Sequence, residues 1–169
     1  KGIARIEGSR GCSWRKCDFC CVNYKYNIFS WREIDIEKII EQIEELGLHG
    51  IKSIYFTDED FIGSDIFHLE KLIDGIKKLK KTYMTFKDVN FFISIKPIDI
   101  LRKDVFELLK EFISVGLREI FIGIESGCES QLRRYNKCTT KRINGEALER
   151  AKELNVDIDI GFILFDPEI

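Results

Sequence analysis

Four of the six cysteines in this 169-residue chain fall between Cys12 and Cys21, in the run Ser9-Arg-Gly-Cys-Ser-Trp-Arg-Lys-Cys-Asp-Phe-Cys-Cys21. Thiols this close along a loop can converge on one metal centre without help from distant parts of the chain. Three cysteines in an open loop leave one coordination position free, and a free position is where substrate or cofactor chemistry takes place. With no secretory context, a dense cysteine cluster favours metal over disulfides. The competing reading is a structural zinc knuckle using all four thiols. Zinc sites usually draw cysteine pairs from separated hairpins, and adjacent Cys20 and Cys21 make a four-thiolate tetrahedron awkward.

Other chemistry-bearing residues recur at regular points: Thr57-Asp58-Glu59-Asp60, Ser94 with Lys96, Glu125-Ser126, and Asp166. The elements that must position them alternate strand and helix. Strand patterns cover Ala4–Glu7, Ile51–Thr57, Val89–Ile95, Arg118–Ile124 and Val156–Phe165. Helical spacing marks Asp35–Leu46, with Gly47 placed to stop it, and Ile66–Leu79, with Ser64 or Asp65 as N-cap. Further helices are expected over Asp104–Val115, Glu129–Tyr135 and Ile143–Leu154. Such repetition implies a parallel sheet with right-handed crossovers. A dinucleotide fold would carry G-x-G-x-x-G after its first strand, and that is absent. In a barrel-like arrangement, chemistry collects at the strands' C-terminal ends, where these polar residues fall. The expected fold is therefore α/β, a partial parallel barrel of about five strands.

Composition narrows the class. The chain is 44% hydrophobic and 33% charged with net charge −2, ordinary for a soluble domain and without a nucleic-acid or acidic-membrane footprint. No apolar run is long enough for a bilayer, no signal peptide precedes the first strand, and the expected location is the cytoplasm. The chain starts at Lys1 and stops at Ile169 just after a strand, so it reads as one domain, residues 1–169, of a larger protein. His49 and His68 read as surface residues, and Cys128 and Cys138 as inert buried small hydrophobes. The lysines of Lys77–Lys81 read as a wet helix face. Tyr24, Tyr26, Phe29 and Trp31 form an aromatic stretch after the cysteines. Trp14 and Trp31 either border a pocket or pack.

Cys12-x4-Cys17-x2-Cys20, with Phe19 before the last cysteine, resembles the cluster loop of radical S-adenosylmethionine (SAM) enzymes, with one extra residue in its first gap. Phe121-Ile-Gly-Ile-Glu-Ser-Gly127 and Asn136-Lys-Cys-Thr-Thr140 resemble segments of the relatives coupled to a cobalamin domain, with Cys138 in place of their glycine. Tyr55–Phe61 and Gly161–Pro167 resemble their second- and fifth-strand segments. The resemblance implies a [4Fe–4S] cluster on Cys12, Cys17 and either Cys20 or Cys21, the position of Phe19 favouring Cys20. It implies SAM on Thr57, Asp58 or Glu59 (amino group), Lys96 with Ser94 (carboxylate), Glu125 with Ser126 (ribose), and the backbone near Phe19 (adenine). It further implies cobalamin in a domain outside this chain, a small-molecule or peptide substrate, and a reductant such as flavodoxin or ferredoxin. The competing class is a non-catalytic metal- or partner-binding module retaining the fold.

Overall fold

The computed structural model describes residues 2–22 and 30–166. Tyr24, Tyr26, Phe29 and Pro167 lie outside the described residues. The elements in order are β1 (Ile3–Ile6), β2 (Ser9–Arg10), β3 (Arg32–Glu33), α1 (Ile36–Leu48), β4 (Ser53–Phe56) and α2 (Ile66–Thr82). After a short 3-10 turn at Met84–Phe86 come β5 (Asn90–Ile95), α3 (Pro97–Leu101), α4 (Lys103–Ser114), β6 (Leu117–Glu125), α5 (Glu129–Arg134), α6 (Lys141–Lys152) and β7 (Asp157–Phe162). Five strands form one sheet in the order β1-β4-β5-β6-β7. Every neighbouring pair in it is parallel, so all five C-terminal ends lie along one rim. This is the α/β partial barrel that the strand–helix alternation implies.

The sheet has two unlike faces. Ile54, Phe56, Phe91, Ile93, Ile120 and Ile122 point to the helical layer and are buried. Against them pack Ile39 and Ile43 of α1, Leu69, Leu72, Ile73 and Ile76 of α2, and Val105, Phe106, Leu109 and Phe112 of α4. Each such side chain removed from water contributes roughly 1.5–3 kcal/mol. The opposite face carries the alternate residues, among them Tyr55 stacked on Phe92 with ring centroids 4.0 Å apart. Phe121 on that face is 40% exposed. This is the inner, open side of the partial barrel.

Helix boundaries follow local chemistry. Asp35 caps α1 by accepting from the backbone N–H of Glu37 and Lys38, and Asp65 caps α2 by accepting from Phe67 N. Gly47 does not stop α1, which runs one residue further. It is buried, and a Cβ there would lie 2.3 Å from the Phe86 ring, so glycine serves close packing. The left-handed turn falls instead to Gly50, at φ +83°. The last strand is shorter than expected, ending at Phe162. Its partner β6 turns away at Glu125, where φ is +63°. The two-residue ribbon β2–β3 and the one-turn helix α3, opened by Pro97, carry too few residues for a period to show.

Candidate metal centre

The cysteine loop leaves β1 and is held from two sides. From below, the acidic run after β4 anchors its start, one carboxylate per contact. Asp58 accepts from Gly8 N at 3.0 Å and from the Ser9 hydroxyl at 2.5 Å. Glu59 accepts from Gly11 N at 3.2 Å. Asp60 accepts from the backbone N–H (2.9 Å) and hydroxyl (2.6 Å) of Ser13 and from Gly63 N (3.2 Å). From the side, the segment after α5 grips the loop. Asp18 N donates to Tyr135 O at 3.0 Å, Trp14 Nε1 to Asn136 O at 2.8 Å, and Phe19 meets Tyr135 edge-on with centroids 5.3 Å apart. Within the longer first gap, Arg15 takes φ +53°, a conformation that tightens the turn between Cys12 and Cys17.

This frame opens on a cavity of about 280 Å³ lined by Cys12, Cys17 and Cys20, with Phe19, Glu59, Lys96 and Glu125 from other parts of the rim. Trp14, Val22, Lys137 and Cys138 complete the wall. Seven of the predicted site residues thus meet at one place. Thr57, Asp58, Ser94 and Ser126 do not line it. Asp58 and Ser126 are buried beneath, and their polar atoms serve the scaffold. The Ser126 hydroxyl donates to Gln131 Oε1 and accepts from Cys128 N. Thr57 Oγ1 donates to Ile6 O at 3.2 Å. Ser94 sits on the inner face, two residues before Lys96. Cys21 is exposed and outside the cavity.

Four groups at the site have roles that the sequence does not assign. Asp60, wholly buried, pairs with Lys96, whose ammonium also reaches the Ser13 hydroxyl at 3.0 Å and lies 3.5 Å from Asp99. Lys137 holds Glu125 through a 3.0 Å ion pair and lies over the Phe19 ring at 5.8 Å. Gly123 makes room for that pair, since a Cβ would fall 2.8 Å from Glu125 Oε1. Asn144 donates to the carbonyls of Ile124 and Ser126 and so fixes the strand end that carries Glu125. The acidic run Asp58-Glu59-Asp60 was the available signal for Asp60; nothing local pointed to Lys137 or Asn144.

Two further expectations need correction, and one open alternative resolves. His68 is buried, not at the surface, with Nε2 3.1 Å from Gly8 O and Nδ1 3.3 Å from Glu33. Cys128 is exposed rather than buried, and Cys138 faces the cavity. Trp31 packs in the interior and donates to Asp60 O at 2.8 Å, while Trp14 borders the cavity.

Electrostatics decide what the cavity can hold. Burial pushes the Cys17 thiol up to about 12, with Cys138, Cys20 and Cys12 adding to the rise and Lys137 opposing it. Burial also raises the Cys12 and Cys138 thiols. Such crowded thiols become thiolates only beside a strongly positive guest. Burial would raise Asp60, but Lys96 and Ser13 outweigh it and hold the carboxyl below the usual range. Among the described residues the cysteines form no disulfide. Among the described residues, no group of three or more His, Cys, Asp or Glu side chains closes on a single ion. A zinc knuckle would need four ligands about 2.3 Å from one metal. Thiolates set around a cavity, each meeting a different iron of one cluster, do fit.

The family model described as the radical SAM superfamily matches residues 6–168. The chain belongs to the radical SAM superfamily. Members use a [4Fe–4S] cluster and SAM, and the donor set above suits that pair. Among curated radical SAM relatives, 4'-phospho-dehydrooxetanocin synthase of Priestia megaterium is 33% identical over 98% of the chain and 24% of its own length. Hopanoid C-3 methylase of Methylococcus capsulatus is 30% identical over 98% of the chain and 29% of its own length. Among solved radical SAM structures, the cobalamin-dependent OxsB with aqua-cobalamin and SAM bound superposes with a TM-score of 0.82 at 29% identity, covering 98% of this chain and 24% of that one. The methyltransferase TsrM from Kitasatospora setae, at 16% identity, 94% and 28% coverage and a TM-score of 0.74, shares the fold. The chain thus spans about a quarter of the length of the relatives it matches.

Proposed function

We propose that this chain is the catalytic core of a radical SAM enzyme, with Cys12, Cys17 and Cys20 holding the cluster and SAM lying across Glu59, Lys96 and Glu125. One observation carries the reading: three cysteines, two carboxylates and a lysine from four different strand ends line one cavity. When bound, the cluster and SAM supply one-electron cleavage of the sulfonium, giving methionine and a 5′-deoxyadenosyl radical that removes hydrogen from a substrate.

The chain's own residues do the positioning. Lys96 offers its ammonium to the methionine carboxylate, and Asp60 and Asp99 keep it charged. Glu59 offers a carboxylate to the amino group. Glu125 presents two acceptor oxygens to a ribose diol, and its left-handed backbone turn aims it back over the rim. Lys137 occupies Glu125 meanwhile and neutralises it, so SAM meets a paired rather than a bare carboxylate. Phe19 and Trp14 give the cavity apolar wall that keeps water from the thiolates. Thr57, Asp58, Ser94 and Ser126 act one layer back, holding the loop and strand ends. Resemblance to the cobalamin-dependent OxsB supports, for the whole protein, cobalamin in a domain outside this chain, and membership of the superfamily supports a small-molecule substrate and a reductant.

Anaerobic reconstitution tests this. The protein should take up about four irons and four sulfides per chain and, with dithionite and SAM, release 5′-deoxyadenosine. Cys12→Ala, Cys17→Ala and Cys20→Ala should each lose the cluster, whereas Cys21→Ala should keep it. Zinc without sulfide would sink the proposal. A full cluster that never cleaves SAM would point to a non-catalytic module.

A further inference from the structure

The segment Asn136-Lys-Cys-Thr-Thr140 carries a thiol that the cluster's three ligands do not require. Cys138 stands where the resembled relatives have glycine. In the structure it lines the same cavity as Cys12, Cys17 and Cys20, beside Lys96 and Glu125. It is half-buried, whereas Cys128, ten residues earlier, is exposed and away from the cavity.

The position of Cys138 is not that of a loose loop. On one side Lys137 is tied to Glu125 at 3.0 Å. On the other, the Thr139 hydroxyl donates to Asn144 Oδ1 at 2.7 Å, and Thr140 caps α6 through Ile143 N. Neighbours on both sides are therefore pinned to the strand end that carries Glu125. Cys12 and Cys17 line the same cavity as Cys138. A three-cysteine cluster has one iron without a protein ligand, and a fourth thiol in the same cavity is a donor of matching chemistry.

We propose that Cys138 is a fourth, exchangeable cluster ligand, bound to the open iron when SAM is absent and displaced when SAM arrives. This rests on the cluster site proposed above. The exchange involves no electron transfer. On binding, the Cys138 thiol loses its proton to solvent and one sulfur–iron bond forms. When SAM takes that iron through its carboxylate and its amino group, the α-ammonium gives up a proton to solvent, the sulfur–iron bond breaks and the thiolate regains a proton from solvent. The consequence is protection: an iron with a fourth thiolate resists loss under mild oxidation, and SAM must compete for it.

The test compares reconstituted wild type with Cys138→Gly, which restores the relatives' residue, Cys138→Ala as a second variant, and Cys128→Ala as a control. Each is titrated with ferricyanide without SAM, and the three-iron cluster is quantified by electron paramagnetic resonance and iron analysis. Wild type and Cys128→Ala should form several-fold less three-iron cluster than either Cys138 variant. SAM binding, followed by its change to the spectrum of the reduced cluster, should be several-fold tighter in the Cys138 variants. Equal three-iron yields, or unchanged or weaker SAM binding, would overturn the inference while leaving the three-cysteine cluster intact. Loss of the cluster in both Cys138 variants would also overturn it, since three cysteines would then not suffice. A wild type that binds no four-iron cluster would instead remove the underlying site, and this inference with it.

Discussion

At the scale of single residues, the site rests on charges that are buried and answered. Asp60 is fully buried beneath Lys96, which is itself only 14% exposed in its side chain. Removing one partner of a buried pair strands the other charge, at about 3 kcal/mol; Asp99, 3.5 Å from Lys96, softens that cost. Asp60→Asn should therefore lower the stability of the cluster-free chain by up to about 3 kcal/mol in urea titration and loosen the loop at Ser13. An unchanged midpoint would show that Asp99 alone suffices. His68 gives a pH signature. Burial holds its imidazole below the usual histidine range, outweighing the opposing pull of Glu33 and the Gly8 carbonyl. The unfolded chain then binds the proton more readily than the folded one, so stability is full above about 6.5 and falls as pH drops through the folded value. Asp58 and Asp99, whose carboxyls burial pushes up to about 6, add stability as pH falls over the same window and oppose His68. His68→Gln should therefore raise the melting temperature at pH 5 relative to pH 7 when compared with wild type; identical pH profiles in both would assign the histidine no part in the effect. The spacing of Cys12, Cys17 and Cys20 was legible because ligands of one loop need only local sequence. Lys137 and Asp60 were not, because an ion pair across the fold leaves no trace in spacing.

At the scale of elements, long amphipathic helices and the main strands show their period, and the chain pairs them as that period implies. What escaped has a common cause: in β2, β3 and α3 too few residues repeat for any face to be recognised. Glycines are the other blind spot, because turn-making and space-making glycines look alike in sequence. Gly47 and Gly145 are told apart only by what a side chain there would meet. Both lie inside helices, where alanine is favoured by about 1 kcal/mol. At Gly145 a new Cβ meets nothing within 4 Å. Gly145→Ala should thus stabilise by up to that amount. At Gly47 the Cβ would lie 2.3 Å from the Phe86 ring, itself fully buried. Overpacking of this kind costs roughly 1–3 kcal/mol, which outweighs the propensity gain, so Gly47→Ala should destabilise. Chemical denaturation of the two variants should give shifts of opposite sign. If both stabilise, Phe86 moves freely and the packing of α1 on the 3-10 turn is looser than drawn here.

At the scale of the molecule, parallel pairing is what converts four separate strand ends into one site. Since every strand of the main sheet runs the same way, the cysteine loop, the acidic run, Lys96 and Glu125 are delivered to one rim by topology alone, whatever lies between them in sequence. That part of the architecture could be read in advance. The finish of the sheet could not, because β7 is apolar on alternate residues yet half uncovered. Among the described residues β7 is an edge strand, with Ile160 and Phe162 each 50% exposed and Leu164 and Phe165 92% and 82% exposed just beyond it. On the inner face, Phe121 lies open beside it. An unpaired strand edge flanked by apolar side chains is a template for joining a second chain. The 169-residue chain should accordingly associate as its concentration rises, showing in sedimentation a mass above the 19.8 kDa of one copy. Phe162→Lys places a charge on that edge without touching the cysteine cavity, and the measured mass should return toward one copy with iron uptake unchanged. A chain that stays single at every concentration would mean that the exposed strip is too small or too twisted to pair. If association persists in the variant, the contact lies on another face, and the β1 edge, where Ile3 is 64% exposed, is the next place to put a lysine.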